Sequence, residues 1–394
     1  MFDHKHYVPV IRWKYGERIA LRELFPEDKA RLTPLLQLTS DVAAGYVADG
    51  NVNSSIAMLL SEIKEHWGGP PAFLDLNELI FPSESNTIAA IKRVFTEASY
   101  LGLDLVPVTT LNRETWYQTG IRKAIAECKK GVCLRLYRKD VESGRLDREI
   151  NYLLSSMDLN PPFVDLVVDF QTVTETDGTY YDNLFKRIPL IGGWRTLTVI
   201  GGGFPQDLTG LSVGEYLLPR VEWSLWKSSQ QTNPSRKATF GDYATLHPNL
   251  LAPFGGMNPT ASIRYTTDDD WVVMRGEALR KKGSAGFAQF PANARSLMDR
   301  SEFCGEEFSY ADKYIFDRPV YADKPGNLTT WVTVGVNHHL TFVVRQLADF
   351  YGVQIDHRRP QYDLDLGVAP QPTDYANVRG IYGSPRRRRP PQPT

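Results

Sequence analysis

The feature that most constrains this chain is a repeated alternation of strand-like and helix-like segments. Short apolar runs recur eight times, at residues 7–13, 32–38, 72–76, 103–108, 132–137, 163–170, 196–200 and 238–243. Between them, residues 17–25, 54–67, 86–100, 114–128, 147–157, 181–190 and 221–229 carry apolar side chains at helical spacing. In the second of these, Ile56, Leu59, Leu60 and Ile63 fall on one stripe. The fifth is stopped by Asn160-Pro161-Pro162. Eight strands with intervening helices predict an α/β chain closed into a (β/α)8 TIM-type barrel. A doubly wound open sheet is the rival, and it usually has fewer strands.

Residues 250–328 interrupt the alternation. Ser262-Ile263-Arg264-Tyr265 and Trp271-Val272-Val273-Met274 flank Asp268-Asp269-Asp270 and predict a β-hairpin with a solvated acidic turn. Residues 293–299 predict a short helix. Residues 331–350 then form a long amphipathic helix through Val336, Leu340, Val343, Val344 and Leu347, with Thr329 or Thr330 as its cap. This reads as the eighth barrel helix. The preceding stretch is then an insertion between strand eight and helix eight, which places a cap over the barrel mouth. The barrel spans 1–355. Residues 356–394 are rich in Pro, Asp and Arg, end in Arg386-Arg387-Arg388-Arg389, and read as a flexible solubilising tail. Contact of that tail with nucleic acid or an acidic partner is the sharper alternative.

Composition excludes several classes. The formal net charge is −1, so there is no overall basic bias toward nucleic acid or membrane. Cys128, Cys133 and Cys304 form no CxxC pair and leave an odd count, so neither a zinc site nor a disulfide framework is indicated. No apolar signal core follows Met1, and no run of about 18 apolar residues occurs, so a cytoplasmic protein that does not span a membrane is expected. Walker, HExxH and dinucleotide motifs are absent.

In a barrel, chemistry gathers where strands end at the C-terminal face. Outward faces must be apolar to meet helices, so alternation turns Asp165, Val167 and Asp169 of strand six inward. The same logic turns in Arg135 of strand five and Asp75 of strand three. Arg12 and Lys14 share a face of strand one, and strand eight ends in Asp242. The expected inward set is Lys14, Asp75, Arg135, Asp169 and Asp242. Such groups can bind an anionic ligand, hold a divalent metal ion or do acid–base work. The competing expectation is an internal ion-pair network that neutralises buried charge. Gly201-Gly202-Gly203 follows strand seven, where barrels often seat a phosphate on bare backbone amides, although a triple glycine can equally make a tight turn. Gly241 can help by leaving room. His338 and His339 point about 100° apart on their helix and so do not share a metal. His338 either reaches the mouth as a ligand-binding group or ties the helix to the cap by hydrogen bonds.

Three stretches carry a family resemblance. They are Tyr7-Val8-Pro9-Val10-Ile11-Arg12-Trp13-Lys14 with Gly16-Glu17 and Ala20-Leu21, Thr33-Pro34-Leu35-Leu36, and Asn337-His338-His339-Leu340-Thr341. Together they resemble the Beta protein family, named after a satellite-phage gene that sits beside a killer gene. The resemblance covers about residues 5 to 352 and brings no catalytic residues with it. It implies a part in phage–host conflict, in a phage, a prophage or a bacterial defence locus. Two functions then compete. One is a barrel that binds or processes an anionic, phosphorylated or nucleotide ligand at its C-terminal rim. The other is a protein-binding module that modulates a toxin or senses a phage protein. A nucleic-acid binder using the arginine tail is a third, disfavoured by the neutral charge.

Overall fold

The computed structural model describes residues 2–232, 235–249 and 258–355. The arginine-rich tail lies outside the described residues. Eight parallel strands are hydrogen-bonded in chain order. They are β1 (Val10–Arg12), β2 (Leu35–Gln37), β3 (Ala72–Asp75), β4 (Leu105–Thr109), β5 (Val132–Tyr137), β6 (Val164–Thr172), β7 (Thr196–Gly202) and, after a further strand β8 (Gly214–Pro219), β9 (Thr239–Gly241). The last strand meets the first. Val8 N donates to Phe240 O at 3.0 Å, Val10 N donates to Asp242 O at 2.8 Å, and Tyr7 bridges both Leu32 and Phe240. An open doubly wound sheet would reverse its strand order, and this one does not. The architecture is a (β/α)8 barrel.

Closure follows from which side chains each strand buries. Every residue of β1, β3, β4, β7 and β9 is buried. Outward-facing Leu74, Leu134, Leu136, Leu166, Val168 and Val199 pack under the helices. Inward-facing Val8, Val10, Leu35, Phe73, Val108, Val167 and Ile200 fill the barrel as a separate cluster. Each fully buried aliphatic contributes about 1.5–3 kcal/mol. The surrounding helices start where their sequences cap them: Asn51 accepts from Asn53 N and Ser54 N ahead of Val52–His66, and Ser83 caps Glu84–Tyr100.

The expected hairpin is present as β10 (Thr260–Thr266) and β11 (Asp270–Ala278), paired antiparallel. Its sheet has a third member that periodicity did not reveal. β8, from the stretch after β7, pairs with the far edge of β11. Helix Gln289–Met298 replaces the expected 293–299, and Tyr310–Asp317 is an additional helix. Ile263, Tyr265, Val272, Phe290, Leu297 and Ile315 form the core of this cap together with Trp331 and Val334 of the final helix, Leu328–Phe350. The same helix sends Val336, Leu340, Val343 and Leu347 into the barrel core. Its cap is Asn327 rather than Thr329 or Thr330, because Asn327 Oδ1 accepts from Thr330 N while Thr330 Oγ1 returns to Asn327 N. The cap lies against the loops after β7 and β9: Arg264 Nη1 donates to Thr245 O, and its guanidinium sits 4.5 Å from the Phe204 ring centroid. No helix among the described residues is long and apolar enough to cross a membrane.

Candidate functional site at the barrel mouth

Three strands end in the same local device. Asp75 Oδ1 accepts from Asn77 N at 3.1 Å, Asp169 Oδ1 from Gln171 N at 2.8 Å, and Asp242 Oδ1 from Ala244 N at 2.9 Å. A short acidic side chain that bonds its own backbone two residues on turns the strand over. At the second and third positions the turn also forces left-handed backbone on a residue with a side chain, with φ of 58° at Gln171 and 51° at Ala244. β6 shifts register between Asp169 and Thr172 as a result. Such backbone costs on the order of 1–3 kcal/mol each, and it fixes where the carboxylates point.

Asp75, Arg135 and Asp169 come together as alternation requires. Arg135 Nε donates to Asp169 Oδ2 at 2.8 Å, and Arg135 Nη2 donates to the same oxygen. Arg135 Nη1 lies 3.8 Å from Asp75 Oδ2. Tyr243, two residues past the end of β9, accepts from Arg135 Nη2 at 2.9 Å and donates to Asp169 Oδ2 at 2.6 Å. All four side chains are buried, Arg135 and Asp169 almost completely. Burial alone would lower the pKa of Arg135, but Tyr243, Asp169, Tyr137 and Asp75 outweigh it and hold the guanidinium firmly charged. Burial, then Asp169, pushes the Tyr243 hydroxyl up, so it stays a donor. Arg113 completes the set from the loop after β4. Its Nη2 donates to Asp75 Oδ2 at 2.7 Å, and its guanidinium stacks 5.3 Å from the Tyr117 ring centroid.

The remaining expected site residues lie elsewhere. Lys14 has the right alternation but falls beyond the end of β1, as the N-cap of helix Tyr15–Arg22, where it pairs with Asp41 at 2.8 Å on the surface. Arg12 takes the inward place instead. Asp242 faces outward because Gly241 and Tyr243 on either side face in. Asp242 Oδ2 lies 2.8 Å from His339 Nε2, and Oδ1 accepts from Tyr7 OH. Burial works against the Asp242 charge, yet His339 and the hydrogen bonds from His339, Tyr7 and Ala244 N hold its carboxyl below the ordinary range. His338 is wholly buried and ties the helix to the cap. Its Nδ1 lies 2.9 Å from Asp312 Oδ2 and its Nε2 2.9 Å from Thr266 O.

The space beside the glycine run is filled by protein. A Cβ on Gly201 would lie 2.7 Å from Tyr181 OH, one on Gly202 2.5 Å from Pro248 Cγ, and one on Gly203 2.5 Å from Glu222 Oε2. Glu222 is itself buried, its carboxyl pushed up to about 8 by burial, with Arg220 as the main opposing influence. The run thus serves close packing of helix Val221–Gln231 and the β9 loop on β7. Gly241 likewise leaves room for protein: a Cβ there would lie 2.6 Å from Val8 O and from Ile200 Cγ1.

Beside the network opens a cleft of about 300 Å³ lined by Asn77, Thr110, Asn112, Arg113, Glu114, Tyr137, Lys139 and Asp140. It sits over the ends of β3, β4 and β5. Sequence reasoning found neither Arg113 nor this cleft. No periodic signal marks a loop arginine, although a cation close after a strand end is the signal to seek. Among the described residues, no three His, Cys, Asp or Glu side chains gather to hold a metal ion. Both inward carboxylates are held by arginines, an arrangement better suited to positioning charge than to moving protons.

Comparison with solved structures gives distant likenesses. The spore cortex-lytic enzyme SleL of Bacillus megaterium QM B1551 is 8% identical, over 62% of this chain and 71% of that one, with a TM-score of 0.29. The carboxyl transferase domain of Rhizobium etli pyruvate carboxylase is 10% identical, over 88% and 48%, with a TM-score of 0.35. A GH138 enzyme targeting pectin rhamnogalacturonan II is 8% identical, over 61% and 34%, with a TM-score of 0.31. The chain thus spans about half and a third of the last two. No curated protein matches the sequence. The Beta protein family model, in contrast, matches residues 7–345, which agrees with the motifs at both ends of the barrel, and the chain belongs to the Beta protein family.

Proposed function

We propose that this chain is a ligand-binding barrel of phage–host conflict, whose mouth takes a small anionic molecule of the phosphorylated or nucleotide class. One observation carries the reading. Arg113 stands in the wall of the open cleft and at the same time pairs with buried Asp75 in the floor. A ligand anion that engages Arg113 therefore perturbs the Asp75–Arg135–Asp169 network directly. Lys139 adds a second cation, and Asn77, Asn112 and Tyr137 offer neutral polar contacts. The family's phage setting supports the biological half of the proposal. The test is a thermal-shift screen of the full chain against nucleotides and sugar phosphates, with and without magnesium, followed by Arg113→Gln. A shift abolished by the variant is expected. No shift with any of these compounds would overturn the reading. Plaque counts on cells expressing the Arg113→Gln and Asp169→Asn variants test the biological part.

A second reading, a protein-binding module, draws on β8. It is the edge strand of the cap sheet, with Leu217 on it and Val213 just before it more than half exposed. An open edge of this kind can accept a partner strand. Capture of the neighbouring gene product, lost in Leu217→Pro but kept in Arg113→Gln, would favour it.

A further inference from the structure

On the opposite side of the mouth from the cleft, three arginines converge where β1, β7 and β9 end. Arg12, the last residue of β1, is 7% exposed, and its Nη2 donates to His247 O and, at 3.0 Å, to Pro248 O. Arg264 of β10 gives Nη1 to Thr245 O at 2.6 Å and lays its guanidinium on Phe204. Arg275 of β11 is paired opposite Ser262, so it is the diagonal neighbour of Arg264 on one face of the cap sheet. It bonds Thr260 Oγ1 and Leu211 O. Arg264 and Arg275 are each only partly buried as residues.

The contacts of these arginines orient them without cancelling charge. Carbonyl and hydroxyl oxygens accept from all three, and among the described residues none of the three forms an ion pair. Arg12 feels Glu17, whose own carboxyl is pushed up by burial, and Asp41, which is already paired with Lys14; Arg275 feels Asp207, which is fully exposed. Among the described residues no acid opposes Arg264. Burial, then Arg275 and Arg12, lowers it to about 10. Guanidinium groups drawn together with little opposing charge are costly unless an anion joins them. Their planar forks match the oxygens of phosphate. The place is also the one where barrels of this architecture commonly hold phosphate, by the loops after the seventh and eighth strands.

We propose that Arg12, Arg264 and Arg275 form a phosphate or pyrophosphate subsite at the barrel mouth. The assignment rests on the reading of the mouth as a ligand site and names the ligand group it grips. Gly202 contributes by letting Pro248 seat closely, and Pro248 O is one of the carbonyls that orient Arg12. Tyr243 links the subsite to the floor, since it bonds Arg135 and also neighbours Arg12.

Pyrophosphate titrated into the full chain, followed by calorimetry and by phosphorus NMR, tests the subsite. Saturable one-to-one binding that weakens steeply with salt is expected. Arg264→Gln and Arg275→Gln should each weaken it by about tenfold or more. Lys92→Gln, on the outer helix Glu84–Tyr100 where Lys92 pairs with Glu127, should change it by less than about twofold. Circular dichroism of each variant checks that it is folded, and Arg275→Gln serves if Arg264→Gln is not. Absence of saturable binding at millimolar pyrophosphate would overturn the subsite, as would binding that ignores both cap variants. Loss on Arg113→Gln alone would move the anion to the other cleft. A chain that shifts with nucleotides through Arg113 but ignores pyrophosphate keeps the mouth reading and loses the subsite. A chain that binds pyrophosphate through Arg264 while the nucleotide screen stays silent keeps the subsite and loses the cleft.

Discussion

Replacing Arg135 by leucine tests whether the buried network at the mouth is one unit. The substitution removes a 1% exposed cation and leaves two buried carboxylates behind. Breaking a buried ion pair from one side costs about 3–5 kcal/mol, mainly through the stranded charge. Here the low end applies. Asp169 keeps Tyr243 OH at 2.6 Å and Gln171 N at 2.8 Å, and Asp75 keeps Arg113 at 2.7 Å. Leucine also retains part of the apolar contact of the arginine stem. The expected cost is therefore about 3 kcal/mol. Asp169→Leu alone should cost as much, because Arg135 then has only Asp75, 3.8 Å away, as a counter-charge. The double variant should fall short of the sum by about 2 kcal/mol, since no charge of the pair remains to be stranded. Equilibrium urea unfolding, followed by tryptophan fluorescence and far-UV circular dichroism together, measures all three. A single-variant cost below about 1 kcal/mol, or additivity within about 0.5 kcal/mol, would refute the account.

Other consequences are equally direct. Glu222 is protonated in the folded chain up to about pH 8 but titrates near 4.5 when unfolded, so the native state binds more protons in between and stability falls as pH rises through that window. Glu222→Gln should flatten this decline and exceed the parent at about pH 9 by at least about 2 kcal/mol, as read from urea midpoints. Burial lowers the pKa of His339 against the opposing pull of Asp242, so its contribution is present above 6.5 and is lost as pH falls below that value. His339→Gln should therefore lose less in Tm than the parent between about pH 7 and pH 5. Gly241→Ala forces a Cβ to 2.6 Å from Val8 O, a backbone atom that cannot yield cheaply. A loss of at least about 2–3 kcal/mol is expected by thermal unfolding, and an unchanged Tm would show that the seam between first and last strands is loose.

Much of the architecture was legible because a parallel barrel buries both faces of its strands, leaving near-continuous apolar runs between helical stripes. Alternation also oriented Asp75, Arg135 and Asp169 correctly, since their neighbours Leu74, Leu134, Leu136 and Val168 had to meet helices. It failed at Asp242, whose polarity read as inward-facing. The residue is satisfied outside the barrel by His339, nearly a hundred positions later, and sequence order carries no mark of such a partner. Lys14 failed for a simpler reason, as β1 ends two residues before it. β8 was missed because none of its residues is buried, so it carries no apolar run of its own and is fixed by pairing with β11. The arginines at the mouth were missed because Arg264 and Arg275 belong to the cap and reach the rim only through tertiary packing.

The cap is stitched from three stretches far apart in the chain: a strand from the connection after the seventh barrel strand, the hairpin with its two helices, and the first turns of the final helix. It cannot be excised as a module, nor can it assemble early. During synthesis the barrel strands emerge first, and the mouth stays unroofed until the last helix leaves the ribosome and fastens both layers at once. A chain stopped before residue 328 would lack the shared keystone of roof and wall. Protease sensitivity of nascent or truncated chains should therefore disappear in one late step rather than layer by layer.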